Sequence, residues 1–322
     1  MRAVRYHRYG PPDVLQVDEV GEPVPAAGEV RLRVAAASLN PLDWKLREGH
    51  LRHLPGFRAP PRTTGTDVAG TVVALGGGTG ARHVGERVFG SLSPFGREGS
   101  CAESCVIGAH RVVPIPEGVS FEQAAALPVA AGTAVQALAD EARVVAGMRV
   151  LILGGAGGVG HFAVRYAKHL GAQVTATCSA GNLAFVAGLG ADQALDYAVT
   201  DVTALGERFD IMFDAANALD WRRARALLVP GGLYLGTAGS TAAAVSTGVG
   251  RFLAPFSGVR ARNLMLKCDA AAWRRLGELA AAGVLSAHIE RQVTLDEVRD
   301  AQAGMQGGHG RGKIVVLPEA ST

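Results

Sequence analysis

The sequence predicts an α/β protein in which a doubly wound parallel sheet is joined to a smaller β module. Three observations carry that reading. Residues 149–196 run strand, glycine turn, helix, strand; strands and helices keep alternating to about residue 288; and the first 118 residues hold short strands cut by Gly and Pro, with no helix of any length.

The stretch 149–196 organises the rest. Arg149–Leu153 (RVLIL) is an aliphatic run of the kind that forms a strand buried on both faces. Gly155, Gly157 and Gly160 follow at Gly-x-Gly-x-x-Gly spacing. From Val159 to Leu170, apolar residues recur at three and four residue intervals, which predicts a helix, and Gly171 is placed to end it. Gln173–Thr177 completes a βαβ unit. In such a unit the first glycine makes the tight turn, the second lets the backbone approach a pyrophosphate, and the third lets helix pack on strand. Gly155, Gly157, Gly158, Val159 and Gly160 are therefore candidate cofactor residues, the competing reading being a glycine-rich structural turn. An NAD site usually places an acid about 20 residues on, at the end of the second strand. Here Ala176, Thr177, Cys178 and Ser179 stand there, with no acid until Asp192, which favours NADPH. Against it, residues 171–191 contain no Lys or Arg to pair with a 2′-phosphate.

At 322 residues the chain is long enough for two domains, and at 48% hydrophobic and 19% charged it supports a large core. A net charge of +3 argues against nucleic acid or an anionic membrane surface as partner. No apolar run of membrane-spanning length and no apolar signal core appear, so a cytoplasmic protein is expected. Cys101, Cys105, Cys178 and Cys268 lack C-x-x-C spacing. Cys101 and Cys105 resemble half a metal site that nothing completes, and His50, His53, His83 and His110 show no ligand spacing; no metal is expected.

In chain order, Val4 and Tyr6, then Val14 to Val20, read as two short strands about a Gly-Pro-Pro turn. Glu29–Ala36 alternates as a half-buried strand, Asn40-Pro41 forces a turn, and Leu42–Glu48 allows one or two helical turns. Ala69–Leu75 and Val84–Phe89 are further strands. Ser120 is a helix N-cap with Gln123 three residues on; Phe121–Leu127 is a short helix and Thr133–Val145 a longer amphipathic one. Beyond residue 196, strands are expected at Arg208–Ala215, Gly232–Gly236 and Asn263–Lys267, and helices at Leu219–Leu228 and Ala270–Ala282. Ile289–Val293, a helix from Leu295 and the strand Lys313–Leu317 could return to the β module; pattern alone does not prove that return.

Taken in order, MRAVRYHRYGPPDVL, SLNPLDWKLREG, GTDVAGTVV, LPVAAGTAVQAL, GGAGGVGHFAVRYAKHLGA, CSAGNLAFVAGLGADQALDY and GHGRGKIVVL resemble, nearly end to end, the medium-chain dehydrogenase/reductases. More narrowly they look like the zinc-free quinone oxidoreductase branch, with zeta-crystallin and the plant enone reductases. The resemblance implies a GroES-like catalytic domain from residues 1–118 and 289–322, a Rossmann domain from 119–288, an active site in the cleft between them, and a homodimer or homotetramer. It implies reduction of quinones or α,β-unsaturated carbonyls by NADPH. Zinc-dependent relatives carry a cysteine near the place of Asn40 and a Gly-His-Glu motif near Gly65 to Asp67; here Asn40 and Thr66-Asp67 stand there, and the four-cysteine lobe is missing.

Without a metal, another group must stabilise charge growing on the carbonyl oxygen. The resemblance nominates Lys45, whose competing fate is a solvated lysine. Asn40 is a candidate for binding substrate or nicotinamide ribose, and Asp43 for holding its loop. Thr133 matches a threonine near the nicotinamide, or is an N-cap. Ser179, Asn182 and Tyr197 are candidates for the adenosine end, where Gly181 replaces an arginine frequent in relatives; Asn217, Gly239 and Lys313 align with cofactor-side loops, Lys313 having the alternative of a strand-edge charge. Phe252, Leu253 and Phe256 line either the substrate pocket or a dimer contact. Two other functions fit the same residues: a biosynthetic enoyl reductase for a bulky or carrier-bound substrate, and an NADPH-binding protein without catalysis.

Overall fold

The computed structural model describes residues 1–237, 248, 258–308 and 310–318. The chain divides into two compact units, Met1–Ala130 with Lys267–Thr322, and Ala131–Leu266. The sequence reading places these boundaries at 118/119 and 288/289. The structure differs because the helix Phe121–Ala125 packs on strands of the β unit, and so does the helix Ala270–Ala281.

The first unit contains β1 (Arg2–Tyr6), β2 (Leu15–Glu19), β3 (Glu29–Ser38), β4 (Arg62–Thr63), β5 (Asp67–Leu75), β6 (Arg87–Ser91), β7 (Ser104–Gly108) and β8 (Val112–Pro114). The second contains β9 (Arg149–Leu153), β10 (Gln173–Cys178), β11 (Gln193–Asp196), β12 (Phe209–Asp214), β13 (Leu228–Thr237) and β14 (Arg260–Leu264). The chain then returns to the first unit as β15 (Ile289–Val293) and β16 (Lys313–Val316).

In the first unit β2-β1-β4 form a small sheet, and β15-β16-β3-β5-β6-β8 a larger one with β7 on β3. Alternation along β3 buries Val30, Leu32 and Val34, which pack with Val68, Val72, Val88 and Val316. The register fixes what meets at one end of this sheet. Ser38 of β3 lies opposite Asp67 of β5, while Val315 and Val316 of β16 lie opposite Ser38 and Ala37. Leu39 N–H continues that ladder to Ile314 O at 3.0 Å, so the start of β16 comes to rest beside Asn40. The return of the C-terminal strand, left open by the sequence pattern, is thus built by β16 pairing with β3.

In the second unit the order is β11-β10-β9-β12-β13-β14, all parallel. In chain order of these strands that is 3-2-1-4-5-6, the dinucleotide-binding arrangement, whose ligand crevice lies where the order reverses, between β9 and β12. Helix Gly160–His169 follows β9 and stops before Gly171 at φ +81.

Several elements depart from expectation. β11 has no run of apolar residues to announce it. Leu219–Leu228 is only the short helix Trp221–Ala224 and a 3-10 turn, because β13 already begins at Leu228. Thr133–Val145 is not a separate helix: a helical run extends from Phe121 to Glu141 through π turns at Leu127–Ala131 and Gln136–Glu141, and ends before Arg143 at φ +52.

Candidate active site

In the first unit the register gathers Ser38, Asn40, Asp67 and Lys313 into one buried polar cluster. Asn40 sits at its centre. Its Oδ1 accepts from Lys313 Nζ at 2.6 Å and its Nδ2 donates to Asp67 Oδ2 at 2.8 Å, which fixes the orientation of the amide. Lys313 Nζ also donates to Leu39 O at 2.9 Å and stands 4.0 Å from Asp67 Oδ2. Asp67 accepts in addition from Ser38 Oγ at 3.1 Å and from Val129 N–H at 3.2 Å, the latter within the first π turn. Lys313 is therefore no strand-edge charge: at 2% exposure, between β15 and β3, it is the buried cation of this network. Burial pushes its ammonium below the ordinary lysine value, opposed by Asp67 and Asp43. Burial likewise raises the Asp67 carboxyl to about 6, against the pull of Lys313, Asn40 and Ser38.

The loop expected around Asn40-Pro41 is the start of the helix Pro41–Arg47, with proline in its first turn. Asp43 accepts the Asn40 N–H at 2.7 Å in a capping box, while the Asn40 side chain also binds Asp67 and Lys313. Asp43 is buried and its carboxyl is raised to about 7, chiefly by desolvation. Lys45, half-buried on the same helix, lies with its ammonium 5.4 Å from the Trp44 ring centroid, and burial lowers its pKa. Arg47, missed by sequence reasoning, is fully buried; it donates to Gln302 Oε1 at 2.6 Å and Gly10 O at 3.1 Å, tying this helix to the helix Val298–Gln306.

In the second unit the glycine turn fits a pyrophosphate. A Cβ on Gly155 would lie 2.9 Å from Ala176 Cβ, and one on Gly160 would collide with Gly154 O, so these two glycines set the approach of helix to strand. Gly157 faces only Gly154 O at 3.5 Å, which leaves the backbone open to a ligand with Gly158 and Val159 beside it. The left-handed residue is Gly154, at φ +80, one position before the glycine to which the motif assigns the turn.

At the end of β10, Asn182 Nδ2 donates to Ser179 Oγ at 3.1 Å, and Tyr197 N–H donates to Cys178 O at 3.1 Å, so the three adenosine-end candidates gather. Asp192, the nearest acid in sequence, is engaged elsewhere: it binds Lys168 Nζ at 2.8 Å and accepts Val174 N–H at 2.6 Å, at the opposite end of β10. Asp196, which sequence spacing does not flag, pairs with Cys178 across the sheet. On the loop after β12, Asn217 has φ +54, donates to Thr237 Oγ1 at 3.3 Å and leaves Oδ1 buried with no partner among the described residues, an acceptor suited to a ligand amide. That loop is shaped by buried Asp214, another residue sequence reasoning missed, which accepts the N–H groups of Ala216, Ala218 and Leu219. Thr133 is buried inside the helical run, where Ala131 precedes the helical residues, so it is not an N-cap. Gly239, Phe252, Leu253 and Phe256 lie outside the described residues.

Comparison with known proteins agrees with this geometry. Residues 26–117 match the alcohol dehydrogenase GroES-like domain, and residues 189–316 the zinc-binding dehydrogenase model. The chain is 37% identical to the quinone-oxidoreductase homolog, chloroplastic, of Spinacia oleracea, over 99% of this chain and 98% of that one. The chain belongs to the medium-chain dehydrogenase/reductase superfamily, in its quinone oxidoreductase branch. The NADPH-dependent alkenal/one oxidoreductase, chloroplastic, of Arabidopsis thaliana is 31% identical over 99% of this chain and 80% of that one. Among solved structures, Escherichia coli quinone oxidoreductase complexed with NADPH superposes with a TM-score of 0.88 at 25% identity, over 99% of this chain and all of that one. The branch makes this chain an oxidoreductase that uses a nicotinamide cofactor and a small-molecule substrate. No helix among the described residues is long and apolar enough to cross a membrane.

Proposed function

We propose that this oxidoreductase is an NADPH-dependent, zinc-independent reductase of quinones or α,β-unsaturated carbonyls, acting as a cytoplasmic homodimer. The observation that carries the reading is the Asn40–Asp67–Lys313 cluster. At the places where zinc-dependent relatives carry ligands, this chain has an amide and a carboxylate that are hydrogen-bonded to each other and to a buried ammonium. Such a set is closed to a divalent metal because its acceptors are already engaged and its cation is built in.

The nicotinamide supplies hydride when bound. Gly155, Gly157, Gly158, Val159 and Gly160 hold the pyrophosphate, and Asn217 Oδ1 accepts from the carboxamide. Ser179, Asn182 and Tyr197 take the adenosine end with neutral donors. Asn40 orients the acceptor, held rigid by Asp67 and Lys313. The Lys45 ammonium, partly desolvated, stabilises negative charge on the acceptor oxygen more strongly than a solvated one would. Thr133 contributes a hydroxyl toward the nicotinamide.

Titration with NADPH and NADH by nicotinamide fluorescence, followed by cofactor oxidation against a panel of small quinones and enones, tests the proposal. NADPH preference with turnover on the panel is expected. Tight binding with no turnover on any acceptor overturns the substrate class, and preference for NADH overturns the cofactor assignment. Lys45→Ala is expected to lower kcat by roughly a hundredfold with cofactor affinity intact; full turnover would remove Lys45 from the mechanism.

A further inference from the structure

The reduction just proposed needs a proton as well as a hydride. A small cleft of about 10 Å³, room for roughly one water, is walled by Tyr6, Asp43, Arg62, Thr64, Thr66 and Glu98, among others. Two buried polar atoms on its wall residues lack a hydrogen-bond partner of good geometry, Asp43 Oδ1 and Arg62 Nε. One is an acceptor or carboxyl donor, the other a donor, and the space suits a water that bridges such a pair. The Thr66 hydroxyl, on the same wall, hydrogen-bonds this carboxyl. That hydrogen bond favours the ionised form of Asp43, and Thr66 Oγ1 accepts from Asn40 Nδ2 at 3.5 Å. Asp43 thus borders water space and, through one hydroxyl, reaches the Asn40 amide.

We propose that Asp43 and Thr66 form a proton relay that carries a proton from the Tyr6–Arg62 cleft to the acceptor oxygen held at Asn40. The inference rests on the quinone or enone reductase reading. Hydride arrival at the acceptor carbon leaves an electron pair on its oxygen. The Thr66 O–H bond breaks as that oxygen takes the proton, and the Asp43 carboxyl gives its own proton to Thr66 Oγ. Asp43, now a carboxylate, recovers a solvent proton passed along the cleft water. Charge and atoms balance with no reactant beyond hydride, acceptor and a solvent proton. Lys45 keeps its electrostatic role, and Thr66 is the group that touches the acceptor.

Asp43 is suited to this task by its surroundings. The charged and titratable groups around it are Asp67 from β5, Lys313 from β16, Tyr6 from β1, Arg62 from β4, the buried Cys101 thiol and, across the cleft, Glu98, whose carboxyl burial also raises. Desolvation dominates, Asp67 adds to it, and Lys313 and the Asn40 N–H oppose it, which leaves the carboxyl at about 7. The donor is the protonated form. Turnover limited by proton delivery is therefore fastest below pH 7 and falls about tenfold per pH unit above it.

The test is the pH profile of kcat on an enone for the native enzyme, Asp43→Asn, Thr66→Val and Thr66→Ser, with infrared spectra of the cofactor-free proteins. Asp43→Asn keeps an acceptor for the Asn40 N–H, so the helix cap survives. We expect it to lose the limb near pH 7 and to lower kcat at pH 6 by roughly a hundredfold. Thr66→Val should show the same loss, and Thr66→Ser should regain most of it, a rescue that a packing role for Thr66 would not give. A protonated-carboxyl band titrating near pH 7 in the native protein and missing from Asp43→Asn is the readout independent of turnover. Turnover with the limb intact in Asp43→Asn overturns the relay alone. If Asp43→Asn does not fold, equal profiles for Thr66→Val and the native enzyme overturn it. No turnover by the native enzyme on any acceptor overturns the reductase reading itself.

Discussion

The two units present chemistry by opposite means. In the parallel-sheet unit the proposed cofactor site is backbone, because Gly155, Gly157 and Gly160 remove side chains from a six-residue turn. In the β unit the proposed acceptor site is made of side chains, and these come from far apart: Asn40 bonds Asp67, 27 residues on, and Lys313, 273 residues on. A backbone site tolerates change in almost everything except the absence of Cβ atoms. A buried side-chain site depends on each charge being matched, since an unpaired one has no water to fall back on. The contrast predicts different failures in the two units.

The largest effect should follow from breaking the charge balance of the β unit. Lys313→Met removes the donor to Asn40 Oδ1 and Leu39 O and leaves Asp67 without its cation. A loss of about 3–5 kcal/mol in denaturant unfolding is expected. A loss below about 1 kcal/mol would mean that Asp67 simply takes up a proton, and that the network is less coupled than its geometry implies.

Gly160→Ala should come next. The new methyl would meet the carbonyl of Gly154, a backbone atom at the end of β9 that cannot swing aside. Helix and strand must separate, at about 1–3 kcal/mol, and cofactor binding should fall with stability. Gly157→Ala separates the two quantities, because its methyl finds room in the protein and conflicts only with a ligand. Unfolding is expected to stay within about 0.5 kcal/mol of the native value while NADPH affinity drops by roughly tenfold, about 1.4 kcal/mol. If NADPH still binds normally, the pyrophosphate does not approach at Gly157.

The same contrast explains what the sequence could disclose. The glycine turn is local, so its spacing and the strand and helix beside it could be read in one stretch of residues. Asn40, Lys45 and Lys313 were reachable only through resemblance, because no spacing links residues that a sheet register brings together. The role of Lys313 depends on β16 pairing with β3, and strand pairing over such a separation leaves no local signature. Asp214 and Arg47 were missed for a related reason. Their work is to satisfy backbone groups and amides around them, and a lone Asp or Arg in sequence looks the same whether it does that or faces water. The helix breaks at the two π turns also escaped pattern, since the apolar periodicity of residues 121–141 hardly registers one extra residue per turn.

The smallest predicted effect bears on the adenosine end, where side-chain recognition intrudes on the backbone site. Ser179, Asn182 and Tyr197 offer neutral donors, and Asp192 is held by Lys168 and Val174, away from the ribose end of β10. Gly181 has nothing within 4 Å of where its Cβ would stand, so Gly181→Arg can be accommodated without repacking. A guanidinium there is solvent-screened, and a gain of about three- to tenfold in affinity for NADPH is expected, with NADH unchanged. Equal gains for both cofactors would place the new charge on the pyrophosphate instead, and no gain at all would move the 2′-phosphate away from Ser179. In that case Asp196, across the sheet from Cys178, becomes the residue that reads the ribose, and the preference for NADPH over NADH should vanish in the native enzyme as well.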